Sequence, residues 1–307
     1  MAVEEWMRSA LLSLSKSKGA NDLAKRYGLR FGAQRFVAGE TIDSAIAKVR
    51  QLNDSGLKVT LDHLGEFVAD RNEARESTDY CLRTLDAIAH SGVTANLSLK
   101  LTQLGLDIDR ELCLLHMQEI LERARSQGNF VRIDMEDHTR CQVTIDLLLQ
   151  LREQFDNVGT VMQAYLYRAA DDVSALASRH IPLRIVKGAY KEPREVAFPV
   201  KADVDQNYKK LLQLSLGAGN YTAIATHDEA LIRFARDYTE REGIAPSQFE
   251  FQMLYGIRPA LQQDLARAGY TVRVYVPFGT DWYGYFMRRL AERPANVAFV
   301  LRGMANR

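Results

Sequence analysis

Eight short runs along the chain share one pattern, four to eight β-branched or apolar residues that often alternate with polar ones. They are Leu57–Asp62, Asn96–Gln103, Phe130–Glu136, Thr160–Tyr165, Leu183–Lys187, Tyr221–Thr226, Phe249–Leu254 and Thr271–Val276. Runs of this length and composition read as β-strands. Between them the period becomes helical. In Thr41–Leu52, the apolar residues Ile42, Ala45, Ile46 and Val49 follow i, i+3, i+4, i+7 behind a cap candidate at Thr41. Asp107–Gly128 is similar, with Leu112, Leu115, Ile120 and Leu121 apolar and Gly128 just past the end. Eight strand–helix alternations in about 250 residues predict an α/β fold, a (β/α)8 barrel, with a doubly wound parallel sheet as the alternative. Two helical segments within residues 2–35 precede the first strand and are expected to cover the bottom or side of the barrel. With no linker or low-complexity tract, the chain reads as one domain, residues 1–56 supplying N-terminal helical segments and 57–307 the barrel.

The alternation within the strands also sorts side chains by direction. In a barrel ringed by helices, the apolar set of each strand faces outward. Leu97, Leu99 and Leu101 then send Ser98, Lys100 and Thr102 inward; Val131, Ile133 and Met135 send Arg132, Asp134 and Glu136 inward. Met162 and Ala164 do the same for Gln163 and Tyr165, and Val272, Val274 and Val276 for Arg273 and Tyr275. Barrel interiors are ordinarily filled with Val, Ile and Leu. Charges placed there must be paired or must face a ligand. Lys100, Asp134, Gln163 and Arg184 therefore mark either a ligand site at the barrel mouth or a structural Lys100–Asp134 ion pair.

Composition narrows the function classes. The net charge of +1 argues against bulk attraction to nucleic acid or anionic lipid. Cys81, Cys113 and Cys141 are scattered on helical patterns without any C-x-x-C, so neither a zinc site nor a disulfide framework is expected. The start Met1-Ala2-Val3-Glu4-Glu5-Trp6 is unlike a signal peptide, and no run of 18 apolar residues occurs. The expectation is a cytoplasmic protein whose membrane contact, if any, is peripheral at the inner face. No G-x-G-x-x-G follows a strand, which disfavours NAD(P).

Read in order, several motifs resemble the proline dehydrogenase family from about residue 57 to about residue 300. They are Ser98-Leu99-Lys100-Leu101-Thr102-Gln103-Leu104-Gly105, Arg132-Ile133-Asp134-Met135-Glu136, Gln163-Ala164-Tyr165 and Arg184-Ile185-Val186-Lys187-Gly188-Ala189-Tyr190. Ala225-Thr226-His227-Asp228, Phe251-Gln252-Met253-Leu254-Tyr255-Gly256, Tyr275-Val276-Pro277-Phe278-Gly279 and Tyr285-Phe286-Met287-Arg288-Arg289-Leu290-Ala291-Glu292 follow. The resemblance implies a flavin, FAD rather than FMN, at the C-terminal ends of the strands. Its contacts would be Met135, Gln163, Arg184, Lys187, Gly188, Ala189, Tyr190, Thr226 and His227. Some bifunctional members carry Trp directly after Gly-Ala-Tyr, whereas Lys191 stands here, so the adenine end is expected to be held differently.

Tyr285, Arg288, Arg289 and Glu292 share one helical face by spacing. By itself such a face is ordinarily a solvated surface. The resemblance instead sets this C-terminal helix over the barrel mouth, where Arg288, Arg289 and Lys100 would grip a carboxylate with the planar fork that suits it. Tyr190, Leu254, Tyr275 and Tyr285 would line the rest of a small ring pocket, with Tyr255 added by proximity. The implied reaction is oxidation of L-proline to Δ1-pyrroline-5-carboxylate, with electrons passed to a membrane quinone. Asp134 and Arg184 would set the electrostatics at the flavin. Tyr275 stands where members acting on 4-hydroxyproline carry a smaller residue, so L-proline is the expected substrate. A separate pyrroline-5-carboxylate dehydrogenase would take the product. Two rivals remain on the residues alone: a Schiff-base aldolase using Lys100 or Lys187, and a non-enzymatic anion- or membrane-surface-binding protein using the Arg288–Arg289 helix.

Overall fold

The structure, a computed structural model, describes residues 33–65 and 68–292, with the last two as backbone only. Residues 1–32 fall outside it, and with them most of the predicted N-terminal helical region; the side chain of Glu292 does too. Residues Ala33–Arg35 form a short 3-10 turn.

Eight parallel strands close into a barrel in the order β1 to β8, β8 pairing with β1. The strands are β1 (Lys58–His63), β2 (Ala95–Leu99), β3 (Val131–Ile133), β4 (Val158–Gln163), β5 (Leu183–Val186), β6 (Thr222–Ala225), β7 (Phe249–Leu254) and β8 (Val272–Phe278). Helix α1 (Ile42–Asp54) precedes β1. Each strand is then followed by a helix: α2 (Arg71–Ser91), α3 (Arg110–Ser126), α4 (His138–Arg152), α5 (Ala169–Ala177), α6 (Lys201–Gly217), α7 (Glu229–Arg241), α8 (Pro259–Arg267) and α9 (Trp282–Glu292). The doubly wound alternative is excluded by closure.

Helix starts follow local chemistry. Thr41 caps α1 as expected, its hydroxyl accepting from Ser44 N. Asp70, Asp109, Asp137 and Asp228 each accept backbone N–H groups at the first turns of α2, α3, α4 and α7, where the free amides and the helix dipole both favour a carboxylate. Leu115 departs from the pattern. The buried face of α3 is Cys113, His116, Met117, Ile120, Leu121 and Ala124, and Leu115 stands exposed on the other side.

Two predicted strands stop three or more residues short of their apolar pattern. β2 stops at Leu99 because the chain turns into a 3-10 segment, Leu101–Leu104. The Gln103 side chain fixes that turn, accepting from Lys100 N and donating to the carbonyls of His63 and Gly65. Thr102 therefore leaves the strand and bonds Glu136 at 2.7 Å. β3 ends at Ile133, so Met135 and Glu136 sit in the loop above it. Tyr165, expected inside, lies past the end of β4, its ring against Gly188 and its hydroxyl 3.2 Å from Glu192.

The apolar set of each strand packs outward. Leu97, Leu99, Val131, Ile133, Met162, Val272, Val274 and Val276 are all buried, in one cluster with the inner faces of the helices. At about 1.5–3 kcal/mol for each such side chain, this annulus is the main source of stability. All three cysteines lie in it as free thiols.

The interior is polar, as the alternation predicts. Toward the N-terminal ends, Glu250 accepts from Arg273 (2.8 Å), Tyr221 (2.9 Å) and Gln252 (2.5 Å). Burial pushes the Glu250 carboxyl up, but Arg273 and these hydrogen bonds outweigh it and bring it below its ordinary range. Arg132 donates to the carbonyls of Thr160 and Pro182, and burial, then the nearby Arg184 cation, pulls it down to about 9.

Candidate active site

At the C-terminal ends of the strands the barrel opens into a cavity of about 670 Å³. That volume and position are usual for a small-molecule site on this architecture. All but one of the site residues expected from the sequence line it: Lys100, Asp134, Met135, Gln163, Arg184, Lys187, Gly188, Ala189, Tyr190, Thr226, His227, Leu254, Tyr275, Tyr285, Arg288 and Arg289. Tyr255 does not. Its ring is turned toward α1, 6.0 Å from Lys48 Nζ, because side chains alternate and Leu254 takes the inward direction.

The polar pairings differ from the predicted Lys100–Asp134 bridge. Lys100 Nζ pairs with Asp62 at 3.2 Å, and Asp134 pairs with Arg184 Nη1 at 2.7 Å. Asp134 Oδ1 also accepts from Ser98 Oγ at 2.6 Å, and Arg184 Nε donates to Gln252 Oε1 at 2.6 Å. Tyr275 Oη lies within hydrogen-bond reach of both Asp62 and Asp134. Asp62 and Gln252 are members of this network that sequence reasoning missed. Both sit on the inward set of their strands, opposite Leu61 and Met253, so the alternation rule would have found them had it been extended to β1 and β7.

Arg184 Nη2 and Gln163 Oε1, both buried in the wall, have no hydrogen-bond partner among the described residues. Arg184 is 5 % exposed and Gln163 3 %. Gln163 Nε2 is committed to the carbonyls of Met135 and Glu136, which fixes the amide with its oxygen left over. A buried unsatisfied group costs about 1–3 kcal/mol. One donor and one acceptor left open on a single cavity wall fit a ligand that offers both an acceptor and a donor, as the polar edge of a flavin ring does.

The far wall is charged. Lys187 Nζ bridges Asp205 at 2.5 Å and Asp228 at 2.8 Å. The hydrogen bond from Lys187 holds the Asp228 carboxyl down at about 2. His227 Nε2 accepts from Leu254 N at 2.9 Å, so a neutral ring carries its proton on Nδ1. Arg258 has φ +53° and donates to His227 O. A non-glycine residue in that region is strained.

Gly188 has φ +121°, and a Cβ there would fall 1.2 Å from a Tyr165 ring atom. Backbone strain and overpacking together cost about 2–5 kcal/mol. Gly188→Ala should accordingly lower the melting temperature by at least about 5 °C; an unchanged melting curve would show that Tyr165 can move away freely.

Helix α9 brings Tyr285, Arg288 and Arg289 to the mouth. Its apolar side, Trp282, Phe286 and Leu290, packs with Phe36, Val37, Leu64 and Ile257 in a second cluster. Trp282 Nε1 donates to Glu40 at 3.1 Å, and the Arg289 guanidinium lies 5.1 Å from the Tyr285 ring centroid. Among the described residues no helix is long and apolar enough to cross a membrane.

Comparison with known proteins agrees with this geometry. The sequence model of the proline dehydrogenase family matches residues 45–302. The chain is 50 % identical over 298 residues to proline dehydrogenase 1 of Bacillus subtilis (strain 168), covering 97 % of this chain and 99 % of that protein. It is 44 % identical to proline dehydrogenase of Deinococcus radiodurans, with 98 % and 99 % covered. Among solved structures, proline utilization A from Bdellovibrio bacteriovorus, in a form inactivated by N-propargylglycine, superposes with a TM-score of 0.80 at 25 % identity. That match covers 85 % of this chain and 32 % of the longer protein.

Proposed function

Since the chain belongs to the proline dehydrogenase family, we propose that its cavity oxidises L-proline to Δ1-pyrroline-5-carboxylate with FAD as cofactor and a membrane quinone as final acceptor. Membership makes the chain an oxidoreductase and removes the aldolase and surface-binding alternatives. The observation that carries the site assignment is the pair of open atoms, Arg184 Nη2 and Gln163 Oε1, in a cavity that Lys100, Arg288 and Arg289 also line.

Met135, Gln163, Arg184, Gly188, Ala189, Thr226 and His227 would hold the cofactor, with Lys187 and Tyr190 toward its outer parts. FAD, when bound, supplies the two-electron acceptor. Arg184, fixed by Asp134 and Gln252, offers Nη2 to that acceptor and favours negative charge on it. Lys100, Arg288 and Arg289 bind the carboxylate of proline, while Leu254, Tyr190, Tyr275 and Tyr285 enclose its ring. The Tyr275 phenol takes up space that a 4-hydroxyl would need, which favours proline. Because the ring nitrogen's lone pair forms the C=N bond as hydride leaves C5, the amine must be neutral at that moment. The next oxidation falls to a separate pyrroline-5-carboxylate dehydrogenase.

Purified holoprotein should be yellow, bleach anaerobically with L-proline and recover colour with a quinone analogue. Protein that binds FAD yet stays oxidised in excess proline would sink the assignment. The neutral amine also sets the pH dependence. With the amine protonated over most of the accessible range, kcat/KM should climb log-linearly from about pH 6 towards about pH 8.5, until a group on the enzyme intervenes. A flat profile, with chemistry rate-limiting, would rule out selection of the free amine.

A further inference from the structure

Tyr275 Oη lies 2.7 Å from Asp62 Oδ2 and 2.8 Å from Asp134 Oδ2. A phenol carries one proton and can donate to only one of two carboxylates. With both acids ionised, the second would meet the phenol oxygen lone pair to lone pair at hydrogen-bond distance. Three oxygens joined by two hydrogen bonds need two protons, and the phenol supplies one. We propose that Asp62 supplies the other: it is a neutral carboxylic acid in the resting protein and donates to Tyr275, which donates in turn to Asp134.

Geometry decides which acid holds the proton. Asp134 is surrounded by donors, receiving Arg184 Nη1 at 2.7 Å and Ser98 Oγ at 2.6 Å besides the phenol. Asp62 has a 1 % exposed side chain and, among the described residues, two donors, Tyr275 and Lys100. The Lys100 contacts, 3.2 and 3.4 Å, are longer than the 2.7–2.9 Å of ordinary charge-assisted bonds. Two acids sharing a site do not both ionise readily, and the drier one keeps the proton.

The surroundings of Asp62 act in the same direction. Burial pushes its carboxyl up, Lys100 at the end of β2 pulls it down, Asp134 beyond β3 pushes it up again, and the balance lies above the ordinary range. Burial, followed by the Asp134 carboxylate, raises the Tyr275 phenol far above its ordinary value despite Arg184 on β5, so the phenol keeps its proton. On the α2 side stands Cys81, its thiol pushed up to about 12 by burial. His63, next on β1, faces outward to stack on Tyr80, and burial holds it down at about 4.

A neutral Asp62 changes the charge presented to the cavity. Lys100 and Arg184 then face one carboxylate instead of two, an excess of one positive charge where an anionic substrate would bind. This consequence rests on the proposed carboxylate site; the proton assignment does not. As pH rises and Asp62 ionises, that excess disappears and carboxylate affinity should fall.

The test is infrared spectroscopy of the oxidised holoenzyme at about pH 7, with and without carboxyl-13C aspartate. The expected result is a protonated-carboxyl band that shifts with the label, disappears in Asp62→Asn and remains in Asp134→Asn. Absence of that band in the unmutated protein, or its loss in Asp134→Asn alone, overturns the proposal. Should Asp62→Asn fail to fold, Tyr275→Phe replaces it: removing the acceptor must shift the band, and an unmoved band is a refutation. Affinity for cyclopentanecarboxylate, which lacks the amine, should drop roughly tenfold as pH rises through the ionisation of Asp62 and stay level in Asp62→Asn. If the band belongs to Asp62 but cyclopentanecarboxylate does not bind at all, the proton assignment stands and the carboxylate site fails.

Discussion

Arg184→Ala should slow anaerobic reduction of the flavin by proline by about 10²–10³-fold, the usual cost of deleting one preorganised donor at a reacting centre. The same change strands Asp134, which is 13 % exposed and, among the described residues, keeps Ser98 and Tyr275 as side-chain donors. Removing one partner of a buried pair costs about 3–5 kcal/mol, so the variant should also melt earlier. The two effects separate in a double variant, Arg184→Ala with Asp134→Asn. Stability should recover, because no charge is left uncompensated, while reduction stays slow. Stopped-flow absorbance and a melting curve on both proteins suffice. A normal reduction rate with flavin retained would return Arg184 to a structural role as the counter-ion of Asp134.

Arg289→Ala should raise the KM for proline by on the order of 30- to 1,000-fold, corresponding to about 2–4 kcal/mol for a desolvated charge contact. Arg289 is buried in the mouth while Arg288 is only half-buried, so the effect at Arg288 should be the smaller. Flavin content should not change in either. Arg289→Lys keeps the charge but loses the planar fork, and should recover only part of the affinity. A KM within threefold of the unmutated protein in Arg289→Ala would show that the α9 cations do not hold the substrate.

Much of this site was legible because a barrel strand has a period of two. Leu97 and Leu99 facing out oblige Ser98 to face in, and Val131 and Ile133 do the same for Arg132. The helix period served equally well for α9, whose Arg288 and Arg289 both border the cavity. What parity cannot supply is the partner of each inward charge. Lys100 reaches Asp62 on its neighbouring strand, and Asp134 reaches across the interior to Arg184, because strand stagger sets the height at which side chains meet. Stagger has no local signature. Asp62 was also hidden by its place at the end of a strand, where a lone acid reads as a turn residue. The early end of β2 depends on Gln103 finding the carbonyls of His63 and Gly65, about forty residues back in the chain. No window of neighbouring residues contains that information.

The inner hydrogen bonds run without a break from Glu250 through Gln252, Arg184, Asp134, Tyr275 and Asp62 to Lys100. For anyone engineering a hardier variant, this chain marks where ordinary consensus reasoning goes astray. Swapping a single link for valine or leucine looks like an improvement by the standards of other barrels, yet it leaves a neighbour charged and alone. Replacing every link at once could be neutral for folding, but it would erase the chemistry with the charges. Useful gains must come from the helix termini and the outer annulus, and selection acting on this lineage meets the same restriction.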